Sequence, residues 1–159
     1  MNIMTPTAKA AATDLERIAD TTATSCIATR VRQLSRIITR VYDDAMRPLG
    51  ITASQFTLLT QLAARDGITA VEIGGGLDIE KSTLSRNLKR MLALNLITMD
   101  PPAGRRGRGL HLTPKGQSVI KEAYPVWLSA QQKAVAVMGP ETRAILDGLL
   151  GNAERLVAN

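Results

Sequence analysis

The stretch that decides the reading of this chain is GGGLDIEKST, Gly74–Thr83. A glycine cluster running into Lys-Ser-Thr suits a phosphate-binding loop. It also suits the end of one helix, a turn and the start of another. A Walker-type loop needs Gly, four residues, then Gly-Lys-Ser/Thr, so that backbone N–H groups close on phosphate. Here Gly75 is followed by four residues and then Glu80-Lys81-Ser82. A carboxylate stands where the second glycine belongs, and the permissive backbone is lost. The segment ahead of the glycines, TAVEI, reads as helix rather than buried strand. The helix–turn–helix reading is the one the neighbours support.

Those neighbours fall into helices at every turn of the periodicity. Ile27, Val31, Leu34, Ile38, Val41 and Ala45 recur at spacings of three and four from Ser25 onward, an amphipathic helix. RPLG, Arg47–Gly50, ends it, because Pro48 disfavours helical geometry in the residue before it. ITASQFTLLTQLAARDG follows, with Thr52 or Ser54 as cap and Phe56, Leu59, Leu62 and Ala63 as the apolar stripe. A short helix starts at Thr69 or Ala70, with Val71, Ile73 and Leu77 expected to face inward. The next helix takes Asp78 as its N-cap. It groups Leu84, Leu88, Met91, Leu92 and Asn95 on one face and Ser82, Ser85, Arg86 and Lys89 on the other.

LITMD and GLHLT then read as two short strands around PPAGRRGRG, a Pro/Gly/Arg loop that cannot be helix. A long helix runs from Thr113-Pro114 to Met138, with Pro125 as a possible kink. Gly139-Pro140 breaks it, and a last helix carries Ile145, Leu146, Leu149, Leu150, Leu156 and Val157. Ahead of Ser25, ATDLERIAD reads as a short helix within an otherwise fraying lead. The fold class is mainly α with a small β-hairpin wing: a winged helix-turn-helix over 51–113. Residues 25–50 and 114–159 form helical dimerisation regions, and 1–24 an N-terminal extension.

Composition narrows the function classes. Of 159 residues, 45% are apolar and only 3% aromatic, so the core is aliphatic and base-stacking platforms are excluded as the mode of nucleic-acid binding. There is one cysteine and one histidine, which leaves no disulfide framework and no ordinary zinc-ligand set. No apolar run is long enough to span a bilayer and no charged-then-apolar leader opens the chain, so the expected location is cytoplasmic. No carboxylate pair, activated nucleophile or metal cluster supports an enzyme.

Charge is concentrated. From Lys81 to Lys115 the chain carries eight basic residues against Asp100 alone, whereas the other 124 residues carry twelve basic and thirteen acidic groups. A basic patch confined to one segment is the footprint of a polyanion partner. A helix about 10–12 Å across fits the major groove of double-stranded DNA, and arginines on a hairpin tip suit the narrow, electronegative minor groove. The DNA-contact candidates are therefore Lys81, Ser82, Thr83, Ser85, Arg86, Asn87, Lys89 and Arg90 on the helix, with Arg105, Arg106 and Arg108 on the wing. Arg86 suits a bidentate base contact with guanine, and Ser82 and Thr83 at the helix start suit phosphate. Arg90 serves equally well as a surface ion pair.

RPLGITASQFTLLTQLA, STLSRNLKRMLALNLI and RRGRGLHLTPKG occur together in an order and spacing that resemble the MarR family of bacterial transcription regulators. The resemblance runs from about Cys26 to the C-terminus. It implies a homodimer whose first and last helices interlock, a roughly palindromic operator, and a repressor released by a small ligand, commonly an anionic aromatic compound. No cofactor is implied, and spacing assigns no ligand-pocket residues. Where the family wing carries Asp-x-Arg, this chain has Gly104 and Arg106, so the arginine is retained without the carboxylate. One branch of the family senses peroxide through a cysteine near the start of the first helix, with tyrosines after the LG turn. Cys26 stands in that place, but ITASQF holds no tyrosine, which favours a buried structural thiol. His111 is expected simply to occupy a wing strand. The alternative to a regulator is a winged-helix module that binds a protein partner and DNA non-specifically.

Overall fold

A computed structural model of the chain describes residues 6–102 and 107–158, with side chains described from residue 13 onward except at Val157. The element order is α1 (Pro6–Ser25), α2 (Ile27–Met46), a 3-10 turn (Arg47–Leu49), α3 (Ala53–Ala64), α4 (Ala70–Leu77), α5 (Lys81–Ala93), β1 (Ile97–Met99), β2 (Leu110–Leu112), α6 (Pro114–Met138) and α7 (Thr142–Val157). The chain divides into two compact units, 1–39 and 40–159, with the division inside α2.

In the first unit α1 is a regular helix of 20 residues, longer than the short segment read from sequence. Pro6 suits a first helical turn, and the alanines that follow favour helix without needing a core. Cys26 is the only break before α2. Its N–H donates to the Thr22 carbonyl at 3.2 Å and its own carbonyl accepts from Arg30 at 3.3 Å, so backbone pairing passes through it. The stripe of α2 is where periodicity placed it, but Ile27, Val31 and Leu34 are exposed.

The second unit holds the core. Gly50 takes a left-handed φ of 70° to turn the chain after Pro48. α3 opens on a capping box: Thr52 accepts from the Gln55 N–H, and the Gln55 side chain accepts from the Thr52 N–H. α4 opens the same way on Thr69 and Glu72. Met46, Leu58, Leu59, Leu62, Ile73 and Met91 are fully buried, and the strands add Ile97 and Leu110. The two strands pair antiparallel, Ile97 opposite Leu112 and Met99 opposite Leu110, and Thr69 bridges to Gly109 beside them. Trp127 of α6 lies against Phe56 of α3 with ring centroids 6.4 Å apart, and α6 runs unbroken through Pro125.

Gly74–Gly76 lie inside the short helix α4, as read from sequence, and the described glycines with positive φ are Gly50, Gly67 and Gly139. Other sequence expectations change. Val71 is 80% exposed; it stands two positions from buried Ile73, and residues two apart on a helix cannot share a face. Asp78 is not the N-cap of α5. It is the left-handed C-cap of α4 (φ 49°), its N–H donating to the Gly74 carbonyl, and Glu80 caps α5. Ala63, Leu92 and Asn95 are exposed; α5 ends at Ala93, and Asn95 turns the chain with φ 56°. Buried Leu58 and Gln55 take the place that Ala63 was given in α3.

Candidate nucleic-acid interface

α5 is anchored by Leu84, Leu88 and Met91, all buried. Helical geometry then turns Ser82, Arg86, Lys89 and Arg90 to the opposite side, and all four are exposed. Lys81 and Ser85 are also exposed but lie at one flank, and Thr83 at the other. Asn87 is half-buried, its amide donating to the Thr83 carbonyl at 3.2 Å, which commits it to the helix itself. Arg105 and Arg106, with Gly104, lie outside the described residues.

The first turn of α5 is a closed network. Glu80 Oε2 accepts from the Thr83 N–H at 3.1 Å and from the Ser82 hydroxyl. Arg86 Nη2 donates to Thr83 Oγ1 at 3.2 Å and to Ser82 Oγ at 3.5 Å. These bonds hold the Glu80 carboxyl below its usual range, the Ser82 hydroxyl first among the causes. The phosphate-attracting start of the helix is thus occupied by the protein's own anion.

The far end of α5 is clamped by α6. Thr113 Oγ1 donates toward the Asn95 carbonyl at 2.7 Å and the Leu96 carbonyl at 3.1 Å, and accepts from the Gly116 N–H at 3.0 Å. Lys115 Nζ donates to the Leu94 carbonyl at 2.9 Å, so this cation of the basic segment serves the C-terminus of α5 rather than its exposed face. A Cβ at Gly116, in the first turn of α6, would overlap the Leu96 carbonyl, so only glycine fits there.

At the base of the wing, His111 does more than occupy a strand. Its Nδ1 lies 2.9 Å from Asp66 Oδ1 and its Nε2 3.1 Å from Asp100 Oδ1. The ring therefore ties the α3–α4 turn to both strands. Asp66 chiefly, then Asp100, favours the imidazolium and raises its pKa above the ordinary 6.5. Sequence distance hid this contact: Asp66 is 45 residues away. Arg108 Nε donates to the Asp100 carbonyl, fixing the arginine to the same strand end.

An apolar groove of about 670 Å³ opens between α4, α5 and β1. Val71, Gly75, Leu88, Leu92 and Met99 line it, with Lys81, Ser85 and Lys89 at its polar edge. Sequence spacing gave no sign of it. Cys26 is half-buried rather than buried, and a hydrogen bond to the Thr29 side chain is the main influence lowering its pKa. Among the described residues no group of three His, Cys, Asp or Glu side chains is placed to hold a metal, and no helix is long and apolar enough to cross a membrane.

Residues 49–107 match the sequence profile of the MarR family. A crystal structure of the transcriptional regulator MosR from M. tuberculosis superposes with a TM-score of 0.74 at 31% identity, over 83% of this chain and 98% of that one. The chain belongs to the MarR family. MosR in complex with DNA superposes with a TM-score of 0.73 at 30% identity, over 83% of this chain and 98% of that one. The multiple antibiotic resistance protein MarR of Salmonella typhimurium is 33% identical over 86 residues, 54% of this chain. The match spans 60% of the length of that curated relative.

Proposed function

We propose that this chain is a DNA-binding transcriptional regulator acting as a homodimer on a roughly palindromic operator, and that it represses until a small anionic ligand releases it. The observation that carries the reading is the α5 face: Ser82, Arg86, Lys89 and Arg90 exposed together on a helix whose other side is buried through Leu84, Leu88 and Met91. A rod of this width enters the major groove, where Arg86 meets guanine O6 and N7 and Lys89 and Arg90 meet phosphate. MosR, of the same family and fold, has been crystallised on DNA.

Exposed apolar stripes support the dimer. Leu149, Leu150 and Leu156 of α7 are exposed, Leu150 at 64%, as are Ile27 and Val31 of α2. A lone chain rarely leaves so much aliphatic surface in water, and a second copy covers like with like about a two-fold axis. The groove beside α5 supports the ligand response. Its apolar walls suit a ring, and Lys81 and Lys89 suit a carboxylate. Because Lys81, Ser85 and Lys89 border the groove and also belong to the DNA-contact set, ligand and DNA compete.

Footprinting on the chain's own flanking DNA tests the reading. A protected, two-fold symmetric site occupied by two subunits is the expected result. Uniform weak protection at all sequences would instead support the non-specific interaction module.

A further inference from the structure

The α5 N-terminus carries a residue that no electrostatic argument for DNA binding would place there. Glu80 puts a carboxylate at the end of the helix that should reach deepest toward DNA, where free N–H groups and the positive end of the helix dipole ordinarily attract phosphate. Its Oε2 accepts from the Thr83 N–H and the Ser82 hydroxyl. Ser82 in turn accepts from Arg86, so carboxylate and guanidinium are one hydroxyl apart. The three side chains are all exposed and none is needed for the core, which is supplied by Leu84, Leu88 and Met91.

Resting on the DNA-binding reading above, we infer that Glu80 is a specificity-determining residue: it repels phosphate at the helix start, accepts from a cytosine amino group, and through Ser82 holds Arg86 in its reading pose. An ionised carboxylate only accepts hydrogen bonds. In the major groove its match is the cytosine N4 amino group, whereas the guanidinium matches guanine O6 and N7. Held one hydroxyl apart, the two side chains read neighbouring G·C positions as a unit. At sites that present no base amino group there, the carboxylate meets phosphate or base acceptors, which lowers affinity. The device weakens non-specific binding and sharpens the choice of site. Ser82 and Arg86 are pre-positioned before DNA arrives, since Thr83 Oγ1 supports the guanidinium from the other side at 3.2 Å.

The test is a selection from randomised duplexes followed by affinity measurements on the selected site and on an unrelated duplex, with the full-length protein. Glu80→Gln removes the charge yet still accepts from the Thr83 N–H, so the cap survives. It should bind the unrelated duplex several-fold more tightly. Its preference for the selected site should fall about tenfold, with cytosine relaxed toward adenine, the base that an amide matches. Ser82→Ala keeps the charge and removes the bridge; it should lose discrimination at the guanine read by Arg86 while retaining the preference for cytosine over adenine that Glu80→Gln relaxes. Should Glu80→Gln fold poorly, Glu80→Asp retains charge and capping and must keep non-specific affinity low, while Ser82→Ala still tests the bridge. A wild type that selects a site which Glu80→Gln selects equally, with unchanged affinity for the unrelated duplex, sinks this inference alone. A wild type that selects nothing sinks the DNA-binding reading and this one with it.

Discussion

Lys89→Ala isolates the electrostatic part of DNA binding and counts subunits at the same time. Lys89 is exposed on α5, one turn beyond Ser85, and it contributes nothing to the buried side of that helix. Each phosphate charge neutralised adds about 0.9 to the slope of log affinity against log salt concentration. In the proposed dimer the substitution removes two such contacts, so the slope should become shallower by about 1.8; a monomer on DNA would lose only about 0.9. Carried to 0.15 M salt, the loss corresponds to roughly 30-fold weaker binding, shrinking toward none near 1 M. Fluorescence anisotropy of a labelled duplex, titrated at five or so salt concentrations, reads both slope and affinity. Arg143→Ala is the control: Arg143 is exposed on α7, 3.6 Å from Asp147, and should leave the slope where it was. A Lys89→Ala slope equal to wild type would show that this face of α5 does not meet phosphate, and the interface drawn above would be wrong.

Four further outcomes follow from other parts of the molecule. A Cβ at Gly75 meets nothing within 4 Å, so Gly75→Ala should stabilise α4 by about 0.5–1 kcal/mol, a rise of roughly 2–4 °C in Tm per kcal/mol at fixed protein concentration. Gly116→Ala should do the reverse, losing about 1–3 kcal/mol as α6 is forced off the Leu96 carbonyl, and DNA affinity should fall with it. His111 has a raised pKa through Asp66 first and Asp100 second. The contribution of its bridge is therefore full below the unfolded value near 6.5 and fades as pH rises through the higher folded value. The Tm advantage of wild type over His111→Gln should accordingly shrink as pH rises above about 6.5, and a constant difference would count against the bridge. Leu150→Asp places a charge in the exposed stripe of α7 and should convert a dimer into a 17.1 kDa monomer by sedimentation; a variant that sediments as wild type would move the interface elsewhere.

Much of the fold was legible because it is written in periodicity and caps. The α5 stripe of Leu84, Leu88 and Met91, the Pro48–Gly50 turn and the Thr113-Pro114 start each declare themselves within a few residues. The errors have equally local causes. Asp78 and Glu80 are both plausible caps two positions apart, and only the left-handed φ of Asp78 decides between them. Val71 and Ile73 are both β-branched aliphatics, but the helical angle between them puts them on different faces. What sequence could not reach were contacts made across the fold: His111 to Asp66, Thr113 and Lys115 to the end of α5, and the groove shared by α4, α5 and β1. The Glu80–Ser82–Arg86 chain lay in plain view within seven residues. Glu80 lies one residue outside the basic window, yet its hydrogen bonds join it through Ser82 to Arg86.

The central claim is that Arg86, presented by α5, reads a base in duplex DNA. Selection from a random duplex library with wild type and with Arg86→Ala tests it most directly. Wild type should enrich a site with two symmetry-related guanines, and Arg86→Ala should lose discrimination at those two positions while still binding DNA. Enrichment of the same guanines by both proteins, or of no site by wild type, would contradict it.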